Sequence, residues 1–61
     1  MAINFKFKCD RQKDDFLEVE ELGGNVWING IFQGNEIEFC FDKTTAIRFA
    51  KTVRTEINKI Q

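Results

Sequence analysis

The chain contains no histidine, no tyrosine and no proline, and only two of its 61 residues are cysteines. Without histidine, a cysteine nucleophile such as Cys40 lacks its usual general base, so no nucleophilic active site is predicted. The cysteines are isolated, the acidic residues have no recognisable loop spacing and no phosphate-binding glycine motif is present. The sequence therefore predicts no metal site and no cofactor, and it indicates a protein that is not an enzyme.

Long hydrophobic runs are also missing, so neither a signal peptide nor a membrane span is expected. A cytoplasmic protein with reduced thiols is the simplest interpretation. Cys9 and Cys40 are predicted to be free, because they point to opposite faces of the expected sheet and a disulfide needs convergent Cβ vectors. The hydrophobic content of 43%, with seven phenylalanines, predicts a folded core in one small domain, residues 1–61.

Charge is distributed unevenly along the chain, although the formal net charge is only −1. Residues 43–61 carry five basic side chains against one acidic side chain, whereas residues 1–42 carry four basic against nine acidic. The folded molecule is therefore expected to be electrically two-sided, and each side is suited to a different kind of partner.

Residues 43–60 are predicted to form a helix, because apolar side chains recur there at steps of three and four residues. Asp42, Thr44 and Thr45 precede or open this segment, and their side-chain oxygens are typical N-cap acceptors. A helix with one apolar stripe needs an apolar surface to cover. The stripe consists of Ala46, Phe49, Ala50, Val53, Ile57 and Ile60.

Alternating apolar and polar residues before the helix predict four strands, at about 3–8, 16–22, 26–33 and 36–41. Gly23-Gly24 and Gly34-Asn35 are typical two-residue hairpin turns. The expected fold is α+β: a four-stranded antiparallel meander with one C-terminal helix packed on one face (ββββα). An alternative places a turn at Asn29-Gly30 and leaves two very short strands.

Two-residue turns determine which strand residues lie opposite each other. A turn at Gly34-Asn35 pairs Gly30 with Phe39, which would then lie under the helix with its ring over the glycine. On the other side of the sheet, Lys6 is expected opposite Glu18 as a cross-strand ion pair. The other expected pairs are Phe32–Ile37, Ile28–Phe41, Val19–Ile28, Leu17–Gly30, Phe16–Ile31, Phe5–Val19 and Phe7–Leu17.

The sheet face away from the helix is predicted to be the functional surface, since one helix cannot cover both faces. Exposed apolar patches often mark binding sites, and tryptophan is frequent at binding hot spots. An apolar centre with an acidic frame suits a protein partner with a basic surface, and self-association of the sheet into a homodimer is an alternative. Another alternative is that Trp27 is shielded by the loop at residues 10–14 or by lysine side chains. The predicted site comprises apolar Phe16, Leu22, Trp27 and Ile31 and acidic Glu18, Glu20, Glu36 and Glu38, with Asp42 at its border.

The exposed face of the predicted helix offers a second candidate surface. Arg48, Lys51, Arg54 and Lys59 lie mostly off the apolar stripe and are able to contact nucleic-acid phosphates. An ordinary solvated helix face explains the same residues, and no nucleic-acid recognition motif is present.

The block from Glu36 to Lys51, EIEFCFDKTTAIRFAK, is a strand that leads directly into a helix. It resembles the ending of many small phage and prophage proteins, and the compact, two-sided chain is similar to anti-CRISPR proteins. The resemblance covers the C-terminal third and transfers no individual functional residue. It implies a non-enzymatic binder that inhibits a host defence complex, such as a nuclease with its guide, in the host cytoplasm.

Overall fold

Four antiparallel strands in the order β1-β2-β3-β4 form one sheet, and a helix follows the last strand, which confirms the predicted ββββα architecture. The computed structural model describes residues 5–61. The predicted start of the first strand at residue 3 lies outside the described residues. The elements are β1 (Phe5–Lys8), β2 (Phe16–Leu22), β3 (Asn25–Phe32), β4 (Asn35–Phe41) and α1 (Lys43–Ile57).

The hairpin between β2 and β3 turns at Gly23-Gly24, as predicted. Both glycines have positive φ angles, 63° and 82°, which is the geometry of a type I′ turn. Its twist matches the right-handed twist of the flanking strands, and glycine adopts these angles without a steric penalty. The register that follows is the predicted one, with Val19 opposite Ile28. The β1–β2 pairs Phe5–Val19 and Phe7–Leu17 are also confirmed.

The hairpin between β3 and β4 turns one residue earlier than predicted, at Gln33-Gly34. The φ angles of these residues are 51° and 80°, so this turn is also of type I′. The sequence predicts Gly34 as the first residue of the turn, whereas the strand twist favours the turn type with two positive φ angles and glycine in second place. The predicted β3–β4 pairs are therefore wrong by two residues: Phe32 lies opposite Asn35. A shift of two preserves which side chains share a face.

This shift changes the surroundings of Gly30 and Phe39. Gly30 lies opposite Ile37, while Phe39 lies opposite Ile28 on the edge strand and is 53% exposed. The prediction that Phe39 is buried over Gly30 is therefore wrong. Gly30 is explained instead by close backbone approach, because a Cβ atom there would collide with the carbonyl oxygen of Phe16. The alternative turn at Asn29-Gly30 is also wrong, because both residues lie inside β3.

The helix begins after Asp42, whose side-chain carboxylate accepts a hydrogen bond of 2.8 Å from the backbone N–H of Thr45. It ends at Ile57, three residues before the predicted end. There the backbone N–H of Ile60 donates to the carbonyl oxygen of Ile57, a three-residue spacing that tightens the last turn and ends the α-helix. Ile60 therefore lies beyond the helix and is 76% exposed.

The helix backbone lies closest to β3 and β4, and Val19 of β2 faces the helix across an apolar groove. The ring centroids of Phe41 and Phe49 are 5.6 Å apart, which links the end of β4 to the second turn of the helix. Ile28, at the centre of the sheet, is the only apolar side chain of the described residues that is buried. The core is thus small and is centred on the middle of β3.

The loop between β1 and β2 is held by Asp15, a buried acidic residue. One carboxylate oxygen of Asp15 accepts a 3.0 Å hydrogen bond from the backbone N–H of Gln33. Its backbone carbonyl accepts from the N–H of Cys9, and its N–H donates to the carbonyl of Gln12. Asp15 therefore fastens this loop to the distant β3–β4 turn.

Candidate protein-binding site

The outer face, which is the side of the sheet opposite the helix, is a regular array because all three strand pairs are in register. Side chains that lie opposite each other on neighbouring strands form rows across this face. The rows are Lys8–Phe16–Ile31–Glu36, then Lys6–Glu18–Asn29–Glu38, then Glu20–Trp27–Cys40.

The four predicted apolar residues lie on the outer face but do not form one patch. Phe16 and Ile31 lie directly opposite each other and are half-buried, so the structure brings this pair together. Asn29 separates Ile31 from Trp27, which is also half-buried and thus partly exposed, as expected. Leu22 lies at the far end of β2, next to the Gly23-Gly24 turn, and is 58% exposed.

A shallow depression on this face combines the Phe16–Ile31 pair with carboxylates. Three of the predicted acidic residues surround it, whereas Glu20 lies one row away beside Trp27. No ion pair neutralises these carboxylates among residues 5–61, where the only one joins Lys59 to Glu56. The depression therefore has three carboxylates without ion-pair partners around an apolar floor. Its lining includes Phe16, Glu18, Asn29, Ile31, Glu36 and Glu38.

Lys6 makes a cation–π contact on the outer face. Lys6 lies opposite Glu18 as predicted, but the expected ion pair between them is not formed. The Lys6 ammonium nitrogen lies instead 4.1 Å from the centroid of the Phe16 ring. Phe16 is a diagonal neighbour within reach of the long lysine side chain, and the negative face of an aromatic ring attracts a cation. The Phe16 ring is thus a cation-binding surface beside unpaired carboxylates.

Two polar atoms on the outer face are buried without a hydrogen-bond partner in the described chain. They are Trp27 Nε1, a donor, and Asn29 Oδ1, an acceptor, two residues apart on β3. A buried polar group without a partner is costly, and supplying one recovers the hydrogen bond. Both atoms are covered by other atoms of the chain, so they are not exposed contact points for a bound molecule.

The alternative basic surface is only partly assembled. Arg48, Lys51 and Arg54 are exposed along the helix, at spacings of three residues that place neighbours on adjoining parts of its surface. Lys59 lies beyond the helix end, and its ammonium nitrogen is 2.8 Å from a carboxylate oxygen of Glu56. Three of the four predicted basic residues thus lie on the helix, and the charge of the fourth, Lys59, is paired with that of Glu56.

Asp42, placed at the border of the acidic frame, has a structural role. The hydrogen bonds from Thr45 lower the pKa of the Asp42 carboxyl below its usual value of 3.8. The cap was foreseeable from the sequence, but a choice between Asp42, Thr44 and Thr45 was not. Asp15 was missed altogether, because a buried aspartate and a loop aspartate look alike in sequence.

The remaining residue types add no further chemistry to the outer face. Cys9 and Cys40 are free and exposed, as predicted. Within residues 5–61 no group of three or more cysteine, aspartate or glutamate side chains is arranged to hold a metal ion. The described helix is too short and too polar to cross a membrane.

Comparison with known proteins returned no relative: no protein-family model, no curated protein and no solved structure matches the chain. Function therefore has to be argued from the geometry of the outer face and the helix.

Proposed function

We propose that the protein is a non-enzymatic binding module whose outer face contacts a basic surface of another protein. The observation that carries this proposal is the position of the Lys6 ammonium over the Phe16 ring, next to unpaired carboxylates. A lysine or arginine of a partner that displaces Lys6 meets the same ring face and, in addition, the charges of Glu36 and Glu38.

The apolar residues supply the contact area that charge alone does not. Interfaces combine an apolar or aromatic centre with a polar rim, and the Phe16–Ile31 pair surrounded by glutamates has this arrangement. Trp27 extends the surface along β3 with a large, partly exposed ring. Electrostatic attraction then speeds association, while the apolar centre slows dissociation.

Within this class, we propose an inhibitor of a host defence nuclease complex, acting in the cytoplasm of the host cell. Nucleases that hold a guide and its target do so in a positively charged channel. An acidic face with an aromatic centre is suited to occupy such a channel in place of nucleic acid. The resemblance of the chain to anti-CRISPR proteins supports the same proposal.

The test uses two double variants that remove equal charge. In Glu36→Gln/Glu38→Gln the carboxylates beside the depression are lost, and Asp10→Asn/Asp14→Asn removes two exposed loop carboxylates as a matched control. Each tagged protein is used to capture partners from nuclease-treated lysate, and the affinity of a captured partner is then measured with purified components. The outer-face variant is expected to bind at least about 10-fold more weakly, and the control within about twofold. Equal binding by both variants would contradict the proposal.

Inhibition is tested separately, by DNA cleavage with a purified guide-loaded nuclease in the presence of increasing amounts of the protein. The inhibitor proposal expects cleavage to fall with wild type and to be restored with Glu36→Gln/Glu38→Gln. If binding is confirmed but cleavage is unaffected across nuclease types, the protein is a binding module of another system.

Nucleic-acid binding by the helix is the second candidate, supported by the absence of ion-pair partners for Arg48, Lys51 and Arg54 in the described chain. Fluorescence anisotropy with labelled duplex and single-stranded oligonucleotides decides it. This candidate expects binding that weakens steeply with salt and is lost in Lys51→Glu/Arg54→Glu. The outer-face proposal expects the same substitutions to leave partner binding unchanged.

A further inference from the structure

The helix-side face, formed by the strand side chains that point toward α1, is mostly uncovered. The helix backbone approaches only β3 and β4 closely, and its apolar side chains face Val19, Val26 and Ile28 across a groove. The helix residues that line this groove are Ala46, Phe49, Ala50 and Val53. The rest of this face carries large apolar side chains that remain exposed. They are Phe5 (61%), Phe7 (58%), Phe32 (53%), Phe39 (53%) and Leu17 (39%).

The helix itself adds to this exposed apolar surface. Val53 and Ile57 belong to the apolar stripe of the helix, yet they are 42% and 56% exposed. The second half of the helix therefore presents apolar side chains that the strands of the same chain cover only in part. Exposed contiguous apolar surface of this kind marks an interaction site rather than an ordinary monomer surface.

The total exposed area supports the same conclusion. The chain exposes 5702 Å², whereas a folded monomer of 7.2 kDa exposes about 4,100 Å². The four residues that are not described account for at most about 600 Å² of this excess, even at the full exposure of an unfolded chain. About 1,000 Å² remains, and a standard interface buries about 800 Å² on each partner.

The chemistry of this face distinguishes it from the outer face. Among the strand residues described, Glu21 is the only charged side chain on the helix side, whereas the outer face carries four glutamates and two lysines. Interfaces between identical subunits are more apolar than those between partners that meet and separate. The net charge of −1 also imposes little repulsion between two copies.

We propose that the helix-side face is covered by a second copy of this chain in a two-fold symmetric dimer. Because Ile28 is the only buried apolar side chain described, a single copy buries too little to be well stabilised. If folding depends on a partner that covers this face, that partner must be present whenever the chain is synthesised. A second copy of the same chain always meets this condition. In a two-fold interface the same residues contribute twice, so Phe7 of one copy and Phe7 of the other both lose their exposure.

Sedimentation and thermal unfolding of the full chain, from about 1 µM to about 100 µM, test the dimer. The proposal expects the mass of two chains and an unfolding midpoint that rises with concentration, because association is coupled to folding. A single-chain mass at every concentration, with a midpoint that does not change, would overturn it.

Two variants locate the interface, because Phe7 and Leu22 are equally exposed, 58% each, on opposite faces. Phe7→Glu is expected to raise the dimer dissociation constant at least about 100-fold, since the substitution acts in both copies. Leu22→Glu is expected to leave the constant within about threefold. The opposite result would place the contact on the outer face and overturn the proposal.

A measurement on the wild-type chain covers the case in which Phe7→Glu does not fold. In a mixture of isotope-labelled and unlabelled chains, NMR detects contacts between copies only. Contacts from the rings of Phe7 or Phe32 support the proposal, and contacts confined to Trp27 and Ile31 contradict it. Failure of the dimer would leave the outer-face binding proposal untouched, because the two use opposite faces.

Discussion

The carboxylate of Asp15 accepts a hydrogen bond of 3.0 Å from the backbone N–H of Gln33, 18 residues further along the chain. Asp15 is only 8% exposed, so this bond lies largely out of water. It joins the β1–β2 loop to the β3–β4 turn, which lies at the same end of the sheet. A charged acceptor makes such a bond stronger than a bond between neutral groups.

Substitution of Asp15 tests the strength of this link. Asp15→Ala is expected to lower the free energy of unfolding by about 1.5–3 kcal/mol, because the N–H of Gln33 loses a charged acceptor. Asp15→Asn keeps an oxygen acceptor of the same size and should lose less. Urea unfolding of both variants checks this, and equal losses would show that the hydrogen bond contributes little.

Gln33 occupies a turn position that suits asparagine better. Its φ angle of 51° lies in the left-handed region, which asparagine adopts more readily than glutamine. Gln33→Asn is therefore expected to raise the free energy of unfolding by about 0.5 kcal/mol or more. Gln12→Asn, at a residue without positive φ, is the control and should have no such effect. If Gln33→Asn is neutral or destabilising in urea unfolding, the turn does not limit stability.

The cap at Asp42 predicts a pH dependence of stability. The folded pKa of Asp42 is lowered below 3.8 by the Thr45 hydrogen bonds, so the ionised group stabilises the fold at pH values above its unfolded pKa. This contribution is lost as the pH falls through the folded pKa. Asp42→Asn keeps a capping oxygen but does not titrate.

Melting temperatures measured from about pH 6 to about pH 2 check this expectation. Wild type should lose more stability than Asp42→Asn over the acidic part of the range. Parallel curves for the two proteins would show that the cap charge has no measurable effect.

The two phenylalanines at the end of β4 are expected to differ sharply. Phe41 is half-buried and its ring packs on Phe49, whereas Phe39 is 53% exposed on the edge strand. Phe41→Ala should therefore cost up to about 3 kcal/mol of unfolding free energy, at the low end for a buried phenylalanine. Phe39→Ala should cost clearly less in dilute protein. Thermal melts of the two variants decide this, and a larger loss for Phe39→Ala would contradict the observed register.

Much of this fold was predictable from local patterns. Alternation with period two identified four strands, and apolar steps of three and four identified the helix, because each element must turn one side toward the core. Two-residue turns then determined the faces, so Phe16, Trp27 and Ile31 were correctly placed on the outer face. The face assignment survived the misplaced turn, because moving a turn by one residue shifts the pairing by two.

Other features depend on residues that meet only in three dimensions. The choice between Gly34 as the first or the second turn residue depends on strand twist, which the local sequence does not display. Lys6 had two partners within reach, and its position over Phe16 rather than beside Glu18 was settled by side-chain geometry. Asp15 appeared to be one more loop charge until the fold placed it against Gln33.

The sequence by itself determined the order of the elements, the faces of the sheet and the separation of acidic strands from a basic helix, since these depend on side-chain period and charge alone. Only the tertiary structure decided how much of the helix-side face α1 covers, because that depends on the angle at which the helix leaves β4. The sequence suggested that the outer face would be the more exposed apolar surface. The structure leaves more of the large apolar side chains exposed on the helix side, because the helix backbone closely approaches only two of the four strands.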